Sequence, residues 1–311
     1  MFVDLDYLNR IKISAVPNFQ KVIGHLVLTP NYHLFSKVDI RIDGVEHIPK
    51  DENVILAMNH TDRFNYWPLQ YKLWKLKEYP YTTVWVKGKY YRNAVLAKML
   101  DWCNLIPVPS MKYLIEEMFE KKVGRRLKED EYRAIKDLVD GRIEALGAAS
   151  NRGLELAAQI HDDFMEFIRH YYASVMDRVA ELSITAIVEK KLNVIIFPEG
   201  TRSTTLGEGK TGMAQLAAGT KTTIVPIGCN NSDALYPGSS PFAKSGQVIY
   251  RVGEPLSFDG ALRDLRIDED FKIFSAESRE KYEDVFNEIT RIAMERINAL
   301  VDERYRLTLP A

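Results

Sequence analysis

Residues 53–65 read NVILAMNHTDRFN, and residues 193–203 read NVIIFPEGTRS. Each opens on a short apolar run without alternation, bounded by polar residues. That pattern suits a central strand covered on both faces. Each then breaks abruptly into side chains that carry chemistry. Before the first run, VDIRID (38–43) leads through a Gly44 turn and a Pro49–Asn53 loop, so 38–58 reads as two strands. After it, a helix is expected through about Lys77, with Thr61 or Asp62 as its cap and Pro68 near its start. TTVWVKG (82–88) and CNLIPV (103–108) read as strands flanking a helix at about 91–101. TTIVPIG (222–228) and QVIYRVGEPL (247–256) complete the set, and MAQLAAG (213–219) is a helix between NVIIF and TTIVPIG. Strands alternating with helices specify an α/β fold, with a central mostly parallel or mixed sheet layered by helices.

From about 111 to 192 the pattern changes to long charged helical periodicity with no proline, which is expected to form an inserted helical subdomain. It contains the basic run KKVGRRLK (121–128). The expected organisation is therefore an N-terminal helical segment at 1–37, an α/β domain at 38–277 interrupted by the insert, and a C-terminal helix within 278–311.

Lys+Arg 42 against Asp+Glu 43 gives a formal net charge of −1, which argues against a nucleic-acid binder. A 46% hydrophobic composition is ample for a packed core. Cys103 and Cys229 lie far apart, without metal-ligand or disulfide spacing. The opening MFVDLDYLNRIKISAVPNF has acidic residues and no signal-type apolar run, and no stretch reaches the roughly 18 apolar residues of a spanning helix. The expected location is the cytoplasmic side, peripheral to the inner membrane surface. The first 35 residues mix Phe, Tyr, Leu, Ile and Val with Arg10, Lys12 and Lys21, which suits either a helix lying on lipid or one packed on its own domain.

His60 sits where a buried strand ends, the place where open α/β sheets bind ligands. FPEGTRS brings a carboxylate, a glycine and a guanidinium within four residues at the end of another strand. Arg202 can grip a phosphate in bidentate fashion, Gly200 lets a backbone N–H come close, and Glu199 can accept from a hydroxyl or brace the loop. Either motif alone also fits a structural histidine or an ordinary surface turn. GEGKT (207–211) is not a nucleotide loop, because the first glycine of that motif would fall at Thr204.

With these residues in place, the sequence resembles the glycerolipid acyltransferase superfamily, the group containing bacterial lysophosphatidic acid acyltransferases. NHTDRFN follows the family's Asn-His-x-x-x-x-Asp pattern except at its last position, FPEGTRS reproduces the third motif, and Ile224-Val225-Pro226-Ile227 resembles the fourth. GKTGMAQLA, with Lys210, is similar to the segment after the third motif. The resemblance covers roughly 38–110 and 185–258. It implies a glycerolphosphate acyltransferase-like fold, an acyl-CoA or acyl-carrier-protein thioester as donor, and a hydroxyl of a lysophospholipid-like lipid as acceptor, met at a membrane surface. No metal or other cofactor is implied. His60 would be the general base, and Glu199, Gly200, Thr201, Arg202 and Lys210 would bind substrate.

Two departures follow. Asn65 stands where the family has its histidine-orienting aspartate, so Asn65 or Asp62 is the expected partner of His60. CNLIPVPSMK lacks the arginine of the second motif, leaving Arg63 or Lys112 to meet an acceptor phosphate. Phe64, Tyr66 and Trp67 are candidates for an acyl path. Rival readings are a lipid- or acyl-CoA-binding protein without turnover and an acyl thioesterase. Oligomeric state is left open.

Overall fold

The computed structural model describes residues 2–140 and 147–307. Parts of three expected segments lie outside the described residues: residue 1 of the N-terminal segment, 141–146 of the insert and 308–311 of the C-terminal segment.

Seven strands form one sheet: β1 Val38–Asp43, β2 Ile55–Met58, β3 Thr82–Lys87, β4 Ile106–Val108, β5 Asn193–Ile196, β6 Ile224–Asn230 and β7 Gly246–Val252. Their spatial order is β1-β7-β6-β2-β5-β3-β4. β2 runs parallel to both β5 and β6, pairing Leu56 with Ile195 and with Val225. β7 is antiparallel to β6, so the sheet is mixed. β2, β5 and β6 are buried along their whole length, as apolar runs without alternation require. β1 and β2 are consecutive in sequence, yet β1 pairs with β7 at the edge. Gly44 makes the departure: it has φ +76, and a Cβ there would stand 2.6 Å from the Val252 carbonyl oxygen.

Several boundaries move for identifiable reasons. The CNLIPV strand shortens to Ile106–Val108 because Asn104 takes φ 59 and its side-chain amide is held by the Ser14 backbone, Nδ2 to oxygen at 2.6 Å. The strand from 247 stops at Val252, and Leu256 then makes only an isolated bridge with Ile224. The helix after His60 starts at Trp67, and neither Thr61 nor Asp62 caps it. Asp62 is engaged earlier, accepting from the Phe64 N–H at 2.8 Å in a turn of its own. The tail comprises helices Ala276–Lys281 and Glu283–Leu300, broken at Tyr282.

The chain divides into two compact units. The first takes in Met1–Ile11, Val86–Lys98 and Pro107–Val179. Its core gathers Ile115, Phe119, Ile135, Leu156, Phe164 and Ile168. There the Tyr113 and Tyr171 hydroxyls accept from the Val3 and Leu5 N–H groups, tying down the start of the chain. The second takes in Lys12–Trp85, Met99–Ile106 and Ala180–Ala311, and it contains most of the sheet. In this unit a helical run spans residues 18–35 and includes π-helical stretches at Gly24–Leu28 and Asn31–Phe35. Gly24 lets it close on the Trp74 ring, which a Cβ would approach to 2.9 Å.

Candidate active site

Because β5, β2 and β6 are adjacent and parallel, their carboxyl ends open on one edge of the sheet. That edge carries FPEGTRS, Asn59-His60 and Asn230. The whole constellation lies in the second unit.

Asn59 is where β2 leaves the ladder. Its side-chain amide takes the place of a backbone partner, accepting from the Cys229 N–H at 2.7 Å and donating to the Cys229 carbonyl at 3.0 Å. β6 therefore stays satisfied while the chain turns away. His60 follows and is bound to the FPEGTRS turn through both backbone groups. Its N–H donates to Glu199 Oε1 at 2.8 Å, and its carbonyl accepts from the Ser203 N–H at 2.9 Å. The imidazole stacks on Phe197, with centroids 4.0 Å apart and planes at 18°. Residues 139 positions apart are thus in direct contact.

The ring is oriented by Asn65, which is fully buried. Asn65 Oδ1 lies 3.2 Å from His60 Nδ1, while Nδ2 donates to the Asn59 carbonyl at 2.8 Å. Only an N–H can face that carbonyl, so the amide oxygen must face the ring. The network assigns the proton to Nδ1 and the lone pair to Nε2. Tyr250 Oη donates to the Asn65 carbonyl at 2.6 Å, pinning the same turn from β7.

Asp62 is buried and accepts from Phe64 N–H and from Thr61 Oγ1 at 3.0 Å. Burial raises its pKa, and the hydrogen bonds from Phe64 and Thr61 oppose the rise. Of the two candidates, Asn65 is the one within hydrogen-bonding reach of Nδ1. Arg63 follows in the same turn, half-buried.

Glu199 braces its loop. Besides Oε1 on His60, its Oε2 accepts from the Gly207 N–H at 2.9 Å. Burial raises its pKa against these two bonds. Gly200 has φ +64, and a Cβ there would touch Lys210 Cδ at 3.3 Å and Nζ at 3.5 Å, so the lysine lies over the turn. The Lys210 N–H donates to the Pro198 carbonyl at 2.9 Å. Thr201, Arg202 and Lys210 are exposed, and neither cation makes an ion pair among the described residues. Phe64 and Tyr66 are buried; Phe64 packs on Trp67 and Tyr236, and Tyr66 on Trp67 and Phe197. Among the described residues no cluster of His, Cys, Asp or Glu is arranged to hold a metal ion. Asn59, Tyr250 and Cys229 were not singled out by sequence. The asparagine beside the histidine was the one available signal.

The family model described as Acyltransferase matches residues 156–230, a segment containing FPEGTRS and β6 but not His60. Among solved structures the chain is similar to the 1-acyl-sn-glycerophosphate (LPA) acyltransferase PlsC from Thermotoga maritima. Identity is 18%, the TM-score is 0.42, and the match covers 94% of this chain and 80% of that one. No curated protein matches significantly. The family match and the resemblance carried by the motifs overlap on residues 197–230.

Proposed function

We propose that this acyltransferase-family protein moves a fatty acyl group from a thioester, acyl-CoA or acyl-carrier protein, to a hydroxyl of a lysophospholipid-like acceptor, with His60 as general base. The observation that carries this is the pair of backbone bonds joining His60 to Glu199 and Ser203, which sets a basic imidazole nitrogen beside a cationic turn. Nε2 takes the acceptor's hydroxyl proton as its oxygen attacks the thioester carbonyl. The tetrahedral adduct then collapses, the C–S bond breaks, and the imidazolium returns the proton to the departing thiolate. Such a positioned base contributes roughly 10²–10⁴-fold. Arg202 and Lys210 hold the acceptor phosphate, helped by backbone at Gly200 and Thr201; Arg63 is a further candidate contact. Glu199 braces the turn. Asn65 holds the tautomer, and Asp62 shapes the turn between them.

The acceptor is met at a membrane surface. No helix among the described residues is long and apolar enough to cross a membrane. The run 18–35 instead exposes Leu26, Leu34 and Phe35 at 72%, 78% and 76%, and no acidic residue occurs from 7 to 38. A peripheral position on the cytoplasmic face follows from this reading.

A second reading, a lipid- or acyl-CoA-binding protein without turnover, is favoured by one observation: Asn65 places no charge beside the imidazolium. Incubation with acyl-CoA and a mixed lysolipid pool, read by lipid mass spectrometry, separates the two. Acyl transfer yields a new acylated lipid that His60→Ala does not make. Binding of acyl-CoA with no release of CoA favours the second reading. Free fatty acid formed without acceptor indicates a thioesterase.

A further inference from the structure

The turn carrying Arg202 and Lys210 is held from a second side, by residues outside both the family match and the motifs. The Leu206 N–H donates to the Tyr305 carbonyl at 2.7 Å, and Leu206 itself is buried. Gly209 lies directly on the helix Glu283–Leu300, where a Cβ would come within 2.7 Å of both Thr290 and Met294 side chains. The segment after that helix is itself firmly anchored. The Asp302 N–H donates to Asn230 Oδ1 at 2.7 Å, and its carboxylate pairs with Arg251 at 2.8 Å. Tyr305 is 2% exposed; its hydroxyl accepts from the Asn231 N–H at 3.0 Å and donates to Asp233. Arg304 reaches Asn231 Oδ1 at 2.7 Å. Asn230 ends β6, the neighbour of the strand that delivers His60. Residues 302–305 therefore form a strap from the carboxyl edge of the sheet to the loop that presents Arg202 and Lys210.

We infer that this strap, anchored by the Tyr305 hydroxyl, positions the cationic turn and thereby sets affinity for the acceptor's phosphate. Tyr305 is a positioning residue: it acts on Arg202 and Lys210 through the Leu206 bond. The inference rests on the proposed reading of those cations as phosphate contacts. Two long, exposed side chains converge on one anion only where their backbone is held, and small displacements of positioning groups have large effects.

Tyr305→Phe keeps the buried ring and removes only the hydroxyl; Gly209→Ala pushes the loop off its helix. Each is assayed with short-chain lysophosphatidate and with monoacylglycerol, which lacks the phosphate, alongside calorimetric binding of lysophosphatidate and thermal unfolding. For Tyr305→Phe, KM and Kd for lysophosphatidate should rise about five- to tenfold, the effect of losing one or two hydrogen bonds. The saturating rate and the rate with monoacylglycerol should stay within about twofold. Unchanged KM and Kd overturn the inference. So does an equal loss with both acceptors that tracks lower thermal stability, because a strap that merely stabilises the fold predicts that result. Should the native protein neither bind nor acylate any lysolipid, it is the proposed function that fails. If it prefers the phosphate-bearing acceptor and Tyr305→Phe preserves that preference, only the strap fails.

Discussion

His60 Nδ1 lies 3.2 Å from the side-chain oxygen of Asn65, whose amide nitrogen is 2.8 Å from the Asn59 carbonyl. The asparagine is thus clamped by the residue beside the histidine it orients. A carboxylate could serve the ring but would set lone pairs against the Asn59 carbonyl, so the local chemistry of this turn favours the amide.

Asn65→Ala should lower kcat by about 10²–10³-fold with little change in KM, since an orienting group acts on the transition state more than on binding. Asn65→Asp should give no gain, and it should lower stability by about 1–3 kcal/mol through the unsatisfied carbonyl. Steady-state kinetics and urea unfolding read both. An aspartate variant faster and no less stable than the native protein would refute this account.

Arg202→Ala and Lys210→Ala should each raise KM for lysophosphatidate by about tenfold or more, as loss of a charged hydrogen bond does. Monoacylglycerol should be used as before. Equal effects on the two acceptors would show that neither cation reads phosphate.

Asp62 supplies a pH test of stability. Burial raises its pKa, as it does that of Glu199. The folded state therefore binds more protons than the unfolded chain. Its stabilising contribution is complete below the unfolded pKa and is lost as pH rises through the folded one. The native protein should accordingly gain on Asp62→Asn at acid pH and lose ground as pH climbs past the ordinary carboxylate range. Urea midpoints across a pH series decide; a difference that grows with pH contradicts the prediction.

Glu131, in the helical unit, works in the opposite sense. Arg125 holds both its oxygens at 2.8 Å, the Lys128 N–H adds a bond, and its pKa falls from 4.5 to about 2. Its contribution is present above 4.5 and lost as pH falls towards 2. Glu131→Gln should cost about 1 kcal/mol at neutral pH through the weakened helix cap, and the difference should shrink on acidification. A constant difference between neutral and strongly acid pH would exclude the ion pair as its source.

For lipid docking, the combined change Leu26→Ser, Leu34→Ser and Phe35→Ser should cut partition onto anionic vesicles by about tenfold or more, given the apolar area removed. These side chains are exposed, so folding should be unaffected. Undiminished sedimentation with vesicles would remove this face from consideration.

Much of the site could be read from local pattern alone. Unalternated apolar runs mark β2, β5 and β6 because a strand covered on both faces buries successive side chains alike. Residue types at their ends place an imidazole after β2 and a Glu-Gly-Thr-Arg turn after β5. The expected cap at Thr61 or Asp62 failed because the Asp62 carboxylate was already engaged with Phe64, and short-range propensity does not register that competition. Tyr250 and Tyr305 escaped notice because each acts through a partner far away in sequence: Asn65 and Leu206.

Order along the chain therefore determined which segments become strands and which chemical groups stand at their ends, since both follow from side-chain periodicity and residue type. Which strands lie side by side, which oxygen faces the imidazole, and what holds the cationic turn were settled by folding. Those outcomes depend on hydrogen bonds between segments that meet only when the sheet assembles, and no local pattern encodes such a meeting.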